Sequence, residues 1–405
     1  MILKININQF FLFKRSFKLS ISPLYRFPVM NRPFQQLPQM QDLIRHFTPN
    51  WFAVTMGTGV LALIVAELPF DSFLMGQMGT ILWQMNMLIF ILFLMLYGLR
   101  WLIFPHEAKQ IFKHASMSLF LGAIPMALAT ILNGFLKFGV DLYGDTAVQI
   151  AQILWYIDVV MALVIAWIIP FCMYSIQQHD LKTMSAVWLL PIVACEVAAS
   201  SGGLLLAHLP MGQQAVAILL GSYVLWGISV LPAFAILSIL MLRLALHQLP
   251  AKELAISSWL ALGPIATGAL ALLLLGAQAP QVLAVIGMQS LGEIFQQVGV
   301  FASLILLGFA TWWFGIAVLT TLKYVQDLPF NLGWWGLTFP LGVFSLAVLN
   351  LGHQMNLWFI SQLGYGFATI LILLWIMVAY KTIQGFYQGH LFFSPCLKAY
   401  LDEQR

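Results

Sequence analysis

Two carboxylic acids lie inside otherwise apolar runs: Asp158 after Leu154-Trp155-Tyr156-Ile157, and Glu196 after Val193-Ala194-Cys195. A carboxylate among hydrocarbon is expensive, so such a group must be neutral, paired or facing water. Glu196 suits proton carriage, repulsion of divalent anions, or a plain helix-to-helix hydrogen bond. Asp158 is read as structural, and Glu293, with Gln296 and Gln297, as interfacial. Other chemistry finds no support. His208 and His353 are far apart, and neither HExxH nor CxxC occurs, so no metal is expected. Cys172, Cys195 and Cys396 read as small buried hydrophobes. There is no Walker loop, so ATP drive is not encoded and no cofactor is expected. No nucleophile–base pairing supports an intramembrane enzyme, and no appended signalling domain supports a receptor.

The elements that hold these residues are membrane spans. Of 405 residues, 61% are hydrophobic and 8% charged, against roughly a quarter charged in globular proteins, and mean hydropathy is +0.91. An all-α integral membrane protein follows, with about 20 residues per crossing. Ten spans are predicted near 49–67, 76–103, 116–137, 147–176, 184–208, 213–245, 254–278, 288–321, 332–352 and 356–383. Seventeen of the eighteen Lys and Arg fall before the first span or after even-numbered ones; only Lys137 does not, and its side carries Glu67, Asp71, Asp141 and Asp145. The positive-inside rule then puts both termini in the cytoplasm of a multi-pass cell-membrane protein, pairs the spans as five hairpins, and makes the net charge of +4 a matter of topology rather than nucleic-acid binding. Residues 1–41 form a basic extension without acids before Asp42, read as an upstream start called in error or as a surface segment. Residues 42–385 form the ten-helix domain and 386–405 a short cytoplasmic tail.

Odd spans share a proline. Pro125, Pro191, Pro264 and Pro340 fall eight to ten residues into spans three, five, seven and nine, about 12–15 Å deep. Span one carries Pro49 at its start and Gly57-Thr58-Gly59 inside. Even spans contain Pro170 and Pro232, so the pattern is not exclusive. A proline interrupts the helical hydrogen-bond ladder, so the outer half of each odd span begins near mid-membrane with free N–H groups and a partial positive charge. Several such termini around one axis predict a conduit attractive to anions without a single Lys or Arg at depth. The pore-lining candidates are Gly57, Thr58, Gly59, Pro125, Thr130, Pro191, Glu196, Ser200, Pro264, Thr267, Thr338 and Pro340. Ser201, Gly202 and Asn133 suit either an outer vestibule or ordinary packing.

Motifs in order along residues 42–385 carry a resemblance. They are Phe47-Thr48-Pro49-x-Trp51-Phe52 with Met56-Gly57-Thr58-Gly59; Ser118-Leu119-Phe120-Leu121-Gly122-Ala123-Ile124-Pro125-Met126 with Thr130-Ile131-x-Asn133; Leu154-Trp155-x-Ile157-Asp158; Val187-Trp188-Leu189-Leu190-Pro191; and Pro329-Phe330-Asn331-x-Gly333-Trp334-Trp335-x-Leu337-Thr338-Phe339-Pro340. Together they resemble the tellurite-resistance/dicarboxylate transporter family, which includes fungal malate permeases, fungal sulfite efflux pumps and, more distantly, plant slow anion channels. The local matches favour the sulfite-pump branch, although Glu196 departs from it. The resemblance implies an inner ring of odd helices, a homo-oligomer (often a trimer), and a pore gate at the position of Phe339. A small anion is the expected substrate. A dicarboxylate would normally be met by arginine forks, and none lie at depth, so sulfite leads and malate, with proton coupling as an option, follows.

Overall fold

The computed structural model describes residues 33–35, 37 and 39–403; most of the basic extension and Arg405 lie outside the described residues. The chain is all-α. Among the described residues nine helices are long and apolar enough to cross a membrane, and a tenth, Pro49–Val65, is shorter. We number the main helices α1 (Phe52–Val65), α2 (Ser72–Ile103), α3 (Ala123–Gly134), α4 (Asp145–Ser175), α5 (Leu190–Leu206), α6 (Gln213–His247), α7 (Leu262–Ala284), α8 (Gln289–Tyr324), α9 (Phe339–Gln354), α10 (Trp358–Gln388) and α11 (Pro395–Glu403). With the leads that precede the odd helices included, the bounds lie within about six residues of the hydropathy spans. The largest differences are at the ends of the third and seventh, which run on to Tyr143 and Ala284.

The odd helices differ from the even ones in how they start. Each is preceded by a 3₁₀ lead: Pro49–Trp51, Ser118–Gly122, Ala186–Leu189, Lys252–Ala261 and Leu332–Leu337. The change to α-helix comes one or two residues before the proline, so Pro125, Pro191, Pro264 and Pro340 stand in the first α-turn. The missing N–H costs nothing there, because no intrahelical acceptor was available for it. These prolines therefore mark where an α-helix begins. Pro170, Pro232 and Pro280 are the ones inside helices.

Contacts between odd helices close on themselves: α1 packs on α3, α3 on α5, α5 on α7, α7 on α9, and α9 back on α1. The four odd segments from α3 to α9 are 83–94% buried over their most apolar windows, against 22–33% for the long even helices. Hydrocarbon gives no hydrophobic drive between helices, so close packing and polar links must hold this inner set. Gly57 supplies one close approach: a Cβ there would come within 2.7 Å of Trp335 Cε3. Indoles supply the links. Trp83 on α2 donates to Ile131 O on α3 (3.0 Å), Trp155 on α4 to Ala198 O on α5 (2.8 Å), and Trp226 on α6 to Gly268 O on α7 (2.9 Å). Trp375 on α10 donates to Thr58 Oγ1 on α1 (3.2 Å). A helical carbonyl has a second lone pair, so each indole is satisfied without breaking the ladder beneath it.

The two ends of the bundle are pinned by charge. Lys137, the exception in the basic pattern, pairs with Glu67 at 2.5 Å. At the opposite end Arg45 bonds Glu107 through two nitrogens, 2.8 and 2.5 Å. Arg100 is buried and donates to Phe47 O (2.7 Å), Ser394 Oγ (3.3 Å) and Cys396 Sγ (3.5 Å). It thereby ties α11 to α2 and to the start of α1. His46 Nδ1 accepts from Ser394 N at 3.3 Å.

Arg100→Ala leaves those acceptors unpaired around a void, and a loss of about 2–4 kcal/mol in unfolding free energy is expected from differential scanning of the solubilised protein. Burial holds the His46 imidazole below its ordinary value, against a smaller opposing pull from Asp42. The folded protein then binds this proton more weakly than the unfolded chain. Its contribution is intact above about pH 6.5 and is lost as pH falls from there through the folded value. His114 and His208 are lowered by burial in the same direction. Thermal midpoints should drop on acidification, and His46→Gln should recover part of the drop.

Candidate functional site

A cavity of about 730 Å³ opens among the loops at the Arg45–Glu107 end and runs inward between the odd helices. Its walls come from the first α-turns or the residues just after them: Ala53 and Met56 of α1, Ala123 and Met126 of α3, Leu190 and Val193 of α5, Gly263 and Pro264 of α7, Phe339 and Pro340 of α9. Five helix N-termini thus bound one space. Each brings the positive end of a helix dipole, while carbonyls of the lead accept from the first N–H groups, as Pro49 O, Phe120 O, Val187 O and Trp259 O do. No Lys or Arg lines the cavity among the described residues; the charged or titratable lining groups are Glu253, His179 and His390, all on loops or leads toward the mouth. His179 shares a hydrogen bond with Gln177 Oε1 (2.9 Å), meets the Trp188 ring edge-on at 4.9 Å, and is lowered by burial. The walls are otherwise mostly apolar, with uncharged polar residues such as Asn50, Gln178, Ser257 and Asn331 among them. Such a space attracts an anion by oriented backbone and offers it no tight counter-charge.

The residues singled out from sequence divide into three groups. Phe339, Pro340 and Pro264 line the cavity. Phe339 is the first residue of α9 and is 5% exposed; Thr338 just before it donates to Trp335 O at 2.8 Å, closing the turn that joins lead to helix. A second group sits at helix contacts around this core. Gly57 meets Thr338 and Trp335, and Thr58 accepts from Trp375. Gly59 faces Thr130 and Asn86, and the backbone around Pro191 touches Gly122. Thr130 donates to Ala127 O (2.8 Å) and accepts from Asn86 Nδ2 (3.3 Å). Ser200 is buried on α5. Pro125 is buried in α3 between the lining residues Ala123 and Met126. In the third group Glu196 and Thr267 are fully or almost fully buried where α5, α6 and α7 meet, with no hydrogen-bond partner on their side-chain oxygens. Sequence reasoning passed over Ala53, Met56, Ala123, Met126 and Val193, which carry no reactive group. Those on α3 and α5 lie within two residues of Pro125 and Pro191, so the prolines were the available signal.

Among the described residues no three His, Cys, Asp or Glu side chains gather as a metal site would require. The arrangement is a single cavity on which the starts of five helices converge. A family model described as voltage-dependent anion channel matches residues 46–383. The chain belongs to that family.

Relatives align over most of their own length. A sulfite efflux pump of Arthroderma otae is 36% identical over 344 residues, 84% of this chain and 91% of the relative. An uncharacterised transporter of Methanocaldococcus jannaschii is 29% identical over 87% of this chain and 98% of its own. A malic acid transport protein of Schizosaccharomyces pombe is 23% identical over 86% and 80%. The match to the family spans every helix from α1 to α9 and most of α10, and so includes all the cavity walls contributed by the odd helices.

The cavity predicts a labelling pattern. In purified protein in bilayers, Met56→Cys and Val193→Cys should react with a membrane-impermeant thiol reagent added from the mouth side. Thr130→Cys and Thr58→Cys, turned into helix contacts, should not react from either side.

Proposed function

We propose that the protein conducts a small, weakly held anion, sulfite ahead of others, along the axis enclosed by α1, α3, α5, α7 and α9. The convergence of five helix N-termini on a cavity without cationic side chains carries this reading. Partial charges at helix ends attract an anion by far less than a buried ion pair would, so binding does not become a trap. The similarity to sulfite efflux pumps at 36% identity favours sulfite. The second reading is a C4-dicarboxylate, supported by the similarity to a malic acid transport protein and by a cavity large enough for one. The lack of an arginine fork on the described walls weighs against it.

In this proposal ten crossings form five hairpins, each pairing an odd inner helix with the long even helix that follows. Both termini and the cavity mouth face the cytoplasm, as the basic residues favour. Phe339 gates the conduit. It lines the cavity from the first turn of α9. The family resemblance favours a homo-oligomer, a trimer first.

In liposomes, Phe339→Ala should raise anion flux by about tenfold, the rate equivalent of removing 1.4 kcal/mol of barrier. Unchanged flux would remove the gate assignment. Radiolabelled sulfite and malate offered to the same vesicles separate the two substrates, and sulfite is expected to move faster. Pro191→Ala and Pro264→Ala should fold normally and change flux; normal flux in both would count against the aligned helix starts as the source of anion attraction.

A further inference from the structure

Buried polar atoms without hydrogen-bond partners are not spread evenly through the bundle. Nine of the fifteen found among the described residues belong to α4–α7: both oxygens of Asp158, both of Glu196, and the hydroxyls of Ser201, Ser222, Tyr223, Ser229 and Thr267. Glu196 sits at the centre of this seam, fully buried. Its carboxyl faces Ser229 on α6 and bare backbone on α7, where a Cβ on Gly268 would lie 3.7 Å from Glu196 Oε2. The nearby Gly268 carbonyl is already taken by the Trp226 indole. From α4 comes Asp158, also fully buried, and on α5 itself Cys195 stands between the two acids. No Lys, Arg or His joins them among the described residues. One carboxyl and a hydroxyl are too few oxygens for a metal ion that wants six or more.

The seam adjoins the cavity. Val193 and Pro264 are cavity walls, and Glu196 and Gly268 lie about one helical turn further along the same two helices, roughly 5 Å. We propose that Glu196, with the Ser229 hydroxyl facing it, is a proton-binding site one helical turn beyond the cavity wall, and that its occupancy is linked to anion passage. The proton adds to a carboxylate oxygen of Glu196 from water entering through the cavity and returns to water on release; no other bond changes. With the proton on, the carboxyl can donate to Ser229 Oγ. With it off, a lone negative charge sits one turn from the anion path and opposes an anion there. This inference rests on the reading of the cavity as a conduit for anions.

The test uses the full chain in liposomes with nitrate as the probe, because nitrate keeps one charge over the range in which a buried carboxyl titrates, about pH 4 to 8. Wild-type flux should change with pH, and E196Q should conduct while losing that part of the profile. His179 and His390 at the mouth remain in both proteins, so the difference between the profiles isolates Glu196. Infrared difference spectra on pH titration give a readout independent of transport: a protonated-carboxyl band in wild type that is missing from E196Q. Superimposable profiles together with unchanged infrared bands would overturn the proposal. If E196Q does not fold, S229A, which keeps the acid and removes its partner, should displace both the flux midpoint and the band; no displacement would equally overturn it. Absence of nitrate and sulfite flux in wild type at every pH would defeat the conduit reading and the linkage to it, whereas normal flux with no Glu196 dependence defeats only the proton site.

Discussion

The N–H groups in the first turn of an α-helix have no acceptor inside the helix, and a lipid bilayer supplies none. Five first turns in this protein meet that constraint at the same place, around one cavity. The 3₁₀ leads bring the chain to that depth, and the prolines of α3, α5, α7 and α9 remove one donor from each first turn. Carbonyls of the leads take the first donors of α1, α3, α5 and α7. What the five starts share at the cavity is the positive end of a helix dipole. It requires no cationic side chain, and so no strong binding site that would slow passage.

Around this core the even helices are both insulation and fastening. Their outward faces are apolar, as at Leu88, Trp167, Leu231, Phe301 and Leu373, and their inward faces carry the indoles that hook the carbonyls of α3, α5 and α7. Three times an even helix bonds forward to the odd helix that follows it in the chain, and Trp375 of α10 closes the circuit on α1. On α8, Ser303 bonds back to Ala269 O of α7 instead, at 2.9 Å. A conduit of nearly apolar walls is thus stiffened from outside by polar links that never enter it.

Much of this could be read from the amino-acid order, and the reasons for the remainder are physical. Hydropathy located the spans because lipid demands an apolar length that few other contexts require. The prolines were legible as a ring because alternate spans carry them at one depth. Their role was less legible: a proline in mid-span looks like a break in an α-helix, and only the backbone reveals a 3₁₀ lead giving way to an α start. Side-chain direction was the weaker inference. Thr58 and Thr130 are polar and lie at the right depth, yet each accepts a hydrogen bond from a neighbouring helix, from Trp375 and Asn86. Met126 and Val193, which line the cavity, have nothing in their chemistry to single them out. Glu196 was conspicuous as a charge, but its approach to Gly268 of α7 joins positions 72 residues apart.

Arg100 has a consequence in time. It lies on α2, yet two of its partners, Ser394 and Cys396, follow it by 294 and 296 residues. A ribosome adding about 5–20 residues per second needs roughly 15–60 s to cover that distance. Over the same interval α1 waits beside an open flank, since α9 and α10 are among the last helices made. The order of synthesis is thus opposed to the order of closure. The first hairpin is inserted with Phe47 O as the guanidinium's one available partner of the three, and the flank is sealed only when Ser394 and Cys396 return to it.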